Sequence, residues 1–410
     1  MVAGSSAAKK DWRTILTLGF SAFGILYFLM QVLALGVLWG SSFFDKQFDS
    51  FSQLSISLLI WSSILSGLLL LPLFLLSIYQ VRGKPIPTWL ATDHPNIRKW
   101  AMWAIIIWPL FVFLGWLIAG QPNLAVFLLG PINLVTAGLP VLWIYNAGRW
   151  KLKGGNQMRH WRIFGFSLTL MPVVVILFEI IALLFVGIIV GLLLAYGLSV
   201  NPQFERDLTE ITNQIMGAGQ DLEAILELLK PYILQPAVIV WGLAIFGGVI
   251  PIIEEVTKPL ALWALAGRKI TPQEGFIGGL LCGAGFALVE NILYLTMAVT
   301  QEDWIFMAVG RAGTGVLHML ASGLFGLGLA KAWQAGRWHI LVLTTLGSFF
   351  LHGLWNALAV VVGLAPLYLV GPELTIVQTL LFNTPLILLL VLSIFGLFII
   401  NRLLRKKKQL

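Results

Sequence analysis

GGVIPIIEEVTKPLALW, residues 247–263, sets two adjacent glutamates and a lysine inside a run that otherwise has the composition of a membrane-crossing helix. A charged side chain at mid-bilayer costs about 2.5 to 3.5 kcal/mol on insertion scales, so such groups need partners or a wetted cavity. Whether the rest of the chain supplies them decides both the architecture and the use of these residues.

The surroundings are those of a membrane protein. Of 410 residues, 59% are hydrophobic and 11% charged, with a mean hydropathy of +0.91 that soluble domains do not reach. One cysteine, Cys282, excludes an internal disulfide and any thiolate cluster, so a metal would need histidine and carboxylate ligands. The net charge of +8 comes from short basic clusters beside apolar runs, where topology and anionic headgroups account for it and nucleic acid does not.

Runs of the ~20 apolar residues a bilayer requires occur at Ile15 to Trp39, Leu54 to Tyr79, Trp100 to Ala119, Leu124 to Tyr145 and Phe164 to Val200. Further runs follow at Pro236 to Ala266, Gly275 to Val299, Ile305 to Lys331, His339 to Pro366 and Leu374 to Ile400. The first is too long for the core of a signal peptide and is expected to stay as an anchor. The expected fold is therefore all-α, a bundle of ten transmembrane helices.

Loop charges set the direction. With the N-terminus inside, the inner segments hold Lys9, Lys10, Arg13, Arg82, Lys84, Arg98, Lys99, Arg149, Lys151, Lys153, Arg159, Arg162, Arg268, Lys269, Lys331, Arg337 and the tail from Arg402 to Lys408. Outside fall only Lys46, Arg206 and Lys230. The positive-inside rule thus expects both termini in the cytoplasm. Splitting the long run at Phe164 to Val200 would flip every later loop, so it is expected to be one helix, tilted or protruding. The acidic stretch from Asn201 to Gln235 has apolar residues at helical spacing on either side of GAGQ, which predicts two short amphipathic helices at the outer surface. The expected organisation is a five-span region at residues 1–200, this outer segment at 201–235, and a five-span core with a basic cytoplasmic tail at 236–410.

The later spans hold Glu254, Glu255, Lys258, Glu290, Arg311, His318 and His352, while the first five hold only Glu179, which reads as a helix-interface residue. Counted at 1.5 Å per residue from their inner ends, Glu254, Glu290, His318 and His352 all lie ~18 to 22 Å deep. Helical spacing then puts Lys258 within reach of Glu254 and Glu255, pairs Phe286 with Glu290, His318 with Ser322 and His352 with Asn356, and sets Arg311 on the stripe of His318. Gly278, Gly279, Gly283 and Gly285 in one span, and six glycines from Gly310 to Gly328 in the next, predict close helix approach around a backbone-lined cleft. Two neighbouring carboxylates in poor solvent do not both ionise readily, so one is suited to take a proton from water. His352 and Asn356 are candidate donors to an oxyanion, and His318 is a candidate to place the water or protonate a leaving amine. This chemistry suits amide hydrolysis within a membrane.

The motifs EEVTK (Glu254 to Lys258), GFALVENILYL (Gly285 to Leu295), GRAGTGVLHMLASGLFGLGLAKA (Gly310 to Ala332) and HGLWNAL (His352 to Leu358) resemble, in order, those of the PrsW family of intramembrane proteases. That family is related to the type II CAAX prenyl endopeptidases and the Abi proteins, regarded as glutamic intramembrane proteases. The resemblance runs from about Pro236 to Leu367. It implies Glu254 as the water-activating base, Glu255 and Lys258 as its partners, and His352 with Asn356 in the oxyanion-supporting HxxxN element. It also implies a membrane-protein substrate such as an anti-sigma factor, and a multi-pass location in a prokaryotic cell membrane. Glu290 stands where the CAAX relatives carry histidine, and Phe286 and Arg311 are supporting residues. The resemblance requires no cofactor.

Other chemistries stay open beside it. A zinc ion held by His318, His352 and a glutamate fits the donor types. There is no HExxH and no aspartate within a span, which argues against a zinc helix of that kind and an aspartyl dyad. Ser322 with His352, or Cys282, would give a serine or thiol nucleophile. From another class, the same carboxylates and histidines would serve a proton- or ion-coupled transporter. A silent membrane scaffold is the third alternative. The sequence assigns no oligomeric state.

Overall fold

The computed structural model describes residues 12–406 except 46, 92–95, 220, 264, 267, 269, 299 and 369–374. Lys9, Lys10, Lys46, Lys269, Lys407 and Lys408 therefore lie outside the described residues, as do the expected span ends Val299 and Leu374.

Among the described residues every regular element is helical. The order is α1 (Trp12–Ser42), α2 (Ser50–Val81), α3 (Thr88–Ala91), α4 (Ile97–Ala119), α5 (Pro122–Gly148), α6 (Gln157–Val200), α7 (Pro202–Ala218), α8 (Leu222–Ile233) and α9 (Pro236–Ala244). A π-helical turn at Ile245–Val249 leads into α10 (Ile250–Thr257), followed by α11 (Leu260–Trp263), α12 (Pro272–Met297), α13 (Gln301–Ala335), α14 (Trp338–Tyr368) and α15 (Ile376–Lys406). Ten helical segments among the described residues are long and apolar enough to cross a membrane, as the hydropathy runs require. The run at Phe164 to Val200 is one helix, the 44-residue α6, ~66 Å long and about twice the hydrocarbon thickness. The acidic stretch forms the two expected helices, α7 and α8.

The sixth span, described from Pro236 to Trp263, is built of consecutive short pieces, because the π-turn inserts one residue and Pro259 cannot continue the hydrogen-bond ladder.

The chain divides into two compact units. One comprises Met1–Pro172, Lys258–Ser348 and Leu392–Leu410, the other Val173–Thr257 and Phe349–Val391. In the first unit, α12 and α13 are the most buried of the membrane-length helices. Thr271 caps α12 through a capping box with Glu274, and Pro272 occupies the first turn, where a missing N–H is harmless. Thr300 caps α13, and Glu302 and Asp303 complement the dipole of its first turn. Gly336, at φ 63°, ends it in the left-handed conformation open to glycine.

The two helices touch backbone to backbone along Gly275, Gly279 and Gly283. A Cβ on Gly275 would fall against Gly326 O, one on Gly279 against Ser322 O, and one on Gly283 against His318 O. The expected cleft is therefore absent along this row: the glycines are spent on direct contact, the small-residue packing of membrane helices. In the second unit, Gly247 of the π-turn meets Gly353 and Ala357 of α14 in the same manner.

Candidate functional site

Each unit gathers a set of buried polar side chains. In the first, α13 holds His318 with its ring nitrogens engaged on both sides. Lys258 Nζ lies 2.8 Å from Nδ1, and Glu290 Oε2 lies 2.7 Å from Nε2. A lysine ammonium only donates, so Nδ1 accepts and Nε2–H donates to the Glu290 carboxylate, a tautomer inferred from the network. The Arg311 guanidinium forms an ion pair with the same Glu290 oxygen, and its Nε donates to Asn291 Oδ1 at 3.2 Å. Arg311 and His318 are two turns apart on α13, so both reach one carboxylate from α12, as their shared stripe implies.

Phe286, one turn before Glu290, fills the remaining side. Its ring stands edge-on to His318 at 5.5 Å and face-on to Lys258 Nζ at 4.2 Å. Lys258 is fully buried, and the aromatic face together with the imidazole nitrogen replaces part of its lost hydration. Asn291, 1% exposed, is a polar residue of this cluster that the spacing argument overlooked. An asparagine inside an apolar span next to Glu290 was the available signal.

The second unit holds the glutamate pair. Glu254 and Glu255 lie in the last turn of α10 and are buried, at 4% and 0% exposure. His352, from α14, lies between them. Its Nδ1 is 3.0 Å from Glu255 Oε1, a hydrogen bond, and its Nε2 is 3.8 Å from Glu254 Oε2. Glu255 thus orients the ring, with Nδ1–H donating and Nε2 turned towards Glu254, a tautomer inferred from this contact. The 3.8 Å separation is too long for a direct bond. It is the span over which one shared atom, a water oxygen or a metal ion, contacts both groups.

Asn356, one turn beyond His352, donates from Nδ2 to the carbonyl of Phe246 at 3.1 Å. That carbonyl belongs to the π-turn, whose register leaves peptide groups outside the ordinary helical ladder. The asparagine therefore anchors the turn leading to Glu254 while keeping its second N–H for another acceptor. Glu179, in α6, is half-buried and belongs to this same unit. Cys282 is a free, fully buried thiol in α12.

The donor types suit a divalent transition metal. Imidazole Nε2 of His352 and the Glu254 carboxylate are borderline ligands of the kind zinc takes, and Glu255 sits behind the histidine as an outer-shell partner does. His318, the other candidate ligand, has both nitrogens engaged within its own unit.

Residues 179–390, slightly more than half of the chain, match the model of the PrsW family intramembrane metalloproteases. The match reaches beyond the stretch that carries the motifs and takes in the end of α6 and the acidic helices α7 and α8. No curated protein and no solved structure matches the chain.

Proposed function

Given that the chain belongs to the PrsW family of intramembrane metalloproteases, we propose that it hydrolyses a peptide bond of a membrane-embedded protein with Glu254 as the base. The observation that carries this is the buried arrangement Glu254, His352, Glu255, in which two groups able to accept a proton face one another across 3.8 Å. A water held there donates one hydrogen to Glu254 and the other to His352 Nε2. Its oxygen attacks the peptide carbonyl, the proton passes to Glu254, and the carbonyl becomes an oxyanion. The second N–H of Asn356 is the donor assigned to that oxyanion. Collapse of the intermediate breaks the C–N bond, and the proton returns to the leaving amine. Lys258, Glu290 and His318 keep the supporting and catalytic assignments their motifs imply, with Arg311 and Phe286 holding them.

The family's description favours a second reading, in which Glu254 and His352 would hold a metal ion that would supply Lewis acidity. Under it, Glu255 still orients His352 and Asn356 keeps its place on the π-turn.

The substrate proposed is a membrane-spanning protein, with one of the anti-sigma-factor kind as the specific candidate. The setting proposed for the chain is a prokaryotic cell membrane, with residues 1–200 as a separate membrane region and 201–235 as an outer segment.

The test compares membrane proteomes of cells carrying wild type or Glu254→Gln, followed by cleavage of the accumulating protein by the purified enzyme. Glu254→Gln is expected to fold and to lose at least 10²-fold in rate, as removal of a general base does. Full cleavage by that variant would end the glutamate proposal. Loss of wild-type cleavage on chelation, restored by zinc, would select the metal reading.

A further inference from the structure

Away from these clusters, in the first unit, the start of α4 and the ends of α5 and α15 converge on Trp150. The guanidinium carbon of Arg98 lies 4.2 Å from the centroid of its ring, that of Arg405 4.9 Å, and Lys151 Nζ 5.1 Å. All three cations are thus within ~10 Å of one another, about one Debye length, so salt screens their repulsion only partly. Among the described residues none of the three is in an ion pair. Glu274, at the start of α12, is taken by Arg159 and by its own helix cap.

The array is built rather than a mobile surface run. Asn401 of α15 donates to Gly148 O at 2.7 Å and to Trp150 O at 2.9 Å, which pins the backbone beneath the indole. Gln273 of α12 donates to Leu404 O at 2.9 Å and accepts from Lys153 N at 2.8 Å, which fixes the end of α15 beside the same turn. Lys151 is the one non-glycine among the described residues with a positive φ, 58°, a conformation an L-residue adopts only at some cost. Arg405 Nε is buried and has no hydrogen-bond partner among the described residues. A buried guanidinium N–H is a donor that calls for an acceptor. Cation–π attraction to one indole explains each cation singly, but not the assembly of three around it with no counter-charge among the described residues.

We propose that the ring of Arg98, Lys151 and Arg405 around Trp150 binds a phosphate-bearing anion. Guanidinium forks match phosphate oxygens, and a lysine adds a point charge at the rim. Trp150, at the end of an apolar helix, has the position of an interfacial aromatic. Two sources share this chemistry, the headgroup of an anionic phospholipid and free phosphate.

The experiment measures thermal unfolding of the full-length protein in neutral detergent. It titrates phosphatidylglycerol micelles, phosphatidylcholine micelles and inorganic phosphate at constant ionic strength. Phosphatidylglycerol is expected to raise the melting temperature where phosphatidylcholine does not. Arg98→Gln with Arg405→Gln is expected to weaken that effect about 30-fold, roughly fivefold for each lost charge. Arg82→Gln with Lys84→Gln removes equal charge from another loop and is expected to leave it unchanged. A shift produced by inorganic phosphate and lost in the same pair would support the site and name free phosphate as its ligand. Should the arginine pair fail to fold, Lys151→Gln, at the exposed rim, is expected to weaken binding about fivefold. No shift from either anion, wild-type affinity in these variants, or equal loss in the control pair overturns the proposal.

Discussion

His318 and His352 are equally buried, and their hydrogen bonds leave them chemically different. His318 gives one nitrogen to Lys258 and the other to Glu290, while His352 gives Nδ1 to Glu255 and turns Nε2 towards Glu254 across a longer distance. Two single substitutions separate the proposed base from its positioning partner. Glu255→Gln keeps the size and an acceptor oxygen but loses the charge that holds Nδ1–H. It is expected to reduce kcat 10- to 100-fold, as loss of an outer-shell partner does, whereas Glu254→Gln abolishes turnover. Equal losses in the two variants, measured on one membrane substrate, would show that Glu255 is not merely a positioning residue. Lys258→Met tests the other histidine: it leaves Nδ1 of His318 without its donor in a buried site. A destabilisation of about 3 to 5 kcal/mol is expected from breaking such a buried charged contact. A thermal midpoint in detergent equal to that of wild type would show that Lys258 is not needed to hold the cluster.

Glu290 and His318 meet because α12 and α13 are in backbone contact two turns before Glu290, where Gly283 lies against the carbonyl of His318. Gly279→Ala puts a methyl group against Ser322 O, and backbone is not free to step aside as a side chain would be. The expected cost is about 1 to 3 kcal/mol or more from overpacking, together with loss of cleavage, since the helices can separate only by parting Glu290 from His318. Gly347→Ala, with open space at its Cβ, is the matched control and is expected to be silent. The stripe that joins Arg311 to His318 was readable because a regular helix preserves spacing. The π-turn before Glu254 was not, because one extra residue in a uniformly apolar run leaves no mark on hydrophobic periodicity. The cleft expected from the glycines failed for a related reason: composition shows that two helices can approach, not how far they do.

Counting spans from apolar length succeeded for the molecule as a whole because lipid tolerates few alternatives to a continuous helix. The division into two units was hidden, since α6, α14 and α15 lend residues to both and no linker marks the boundaries. The orientation expected from the sequence, both termini cytoplasmic, rests on ten single crossings and on the weight of arginine and lysine beside Arg13, Arg82, Arg98, Arg159 and Arg402. A fluorescent protein fused to the C-terminus, of a kind that matures only in the cytoplasm, is then expected to glow. Gln203→Cys, exposed at the start of α7, is expected to react with an impermeant maleimide added to intact cells. Native Cys282, with no exposed surface, supplies a silent background for that labelling. Modification of Gln203→Cys only after the membrane is opened would invert the orientation, and a dark fusion with outward labelling would mean that one of the ten helices does not cross. Either result would move the acidic pair α7 and α8 relative to the bilayer, and with it the side from which a substrate reaches Glu254.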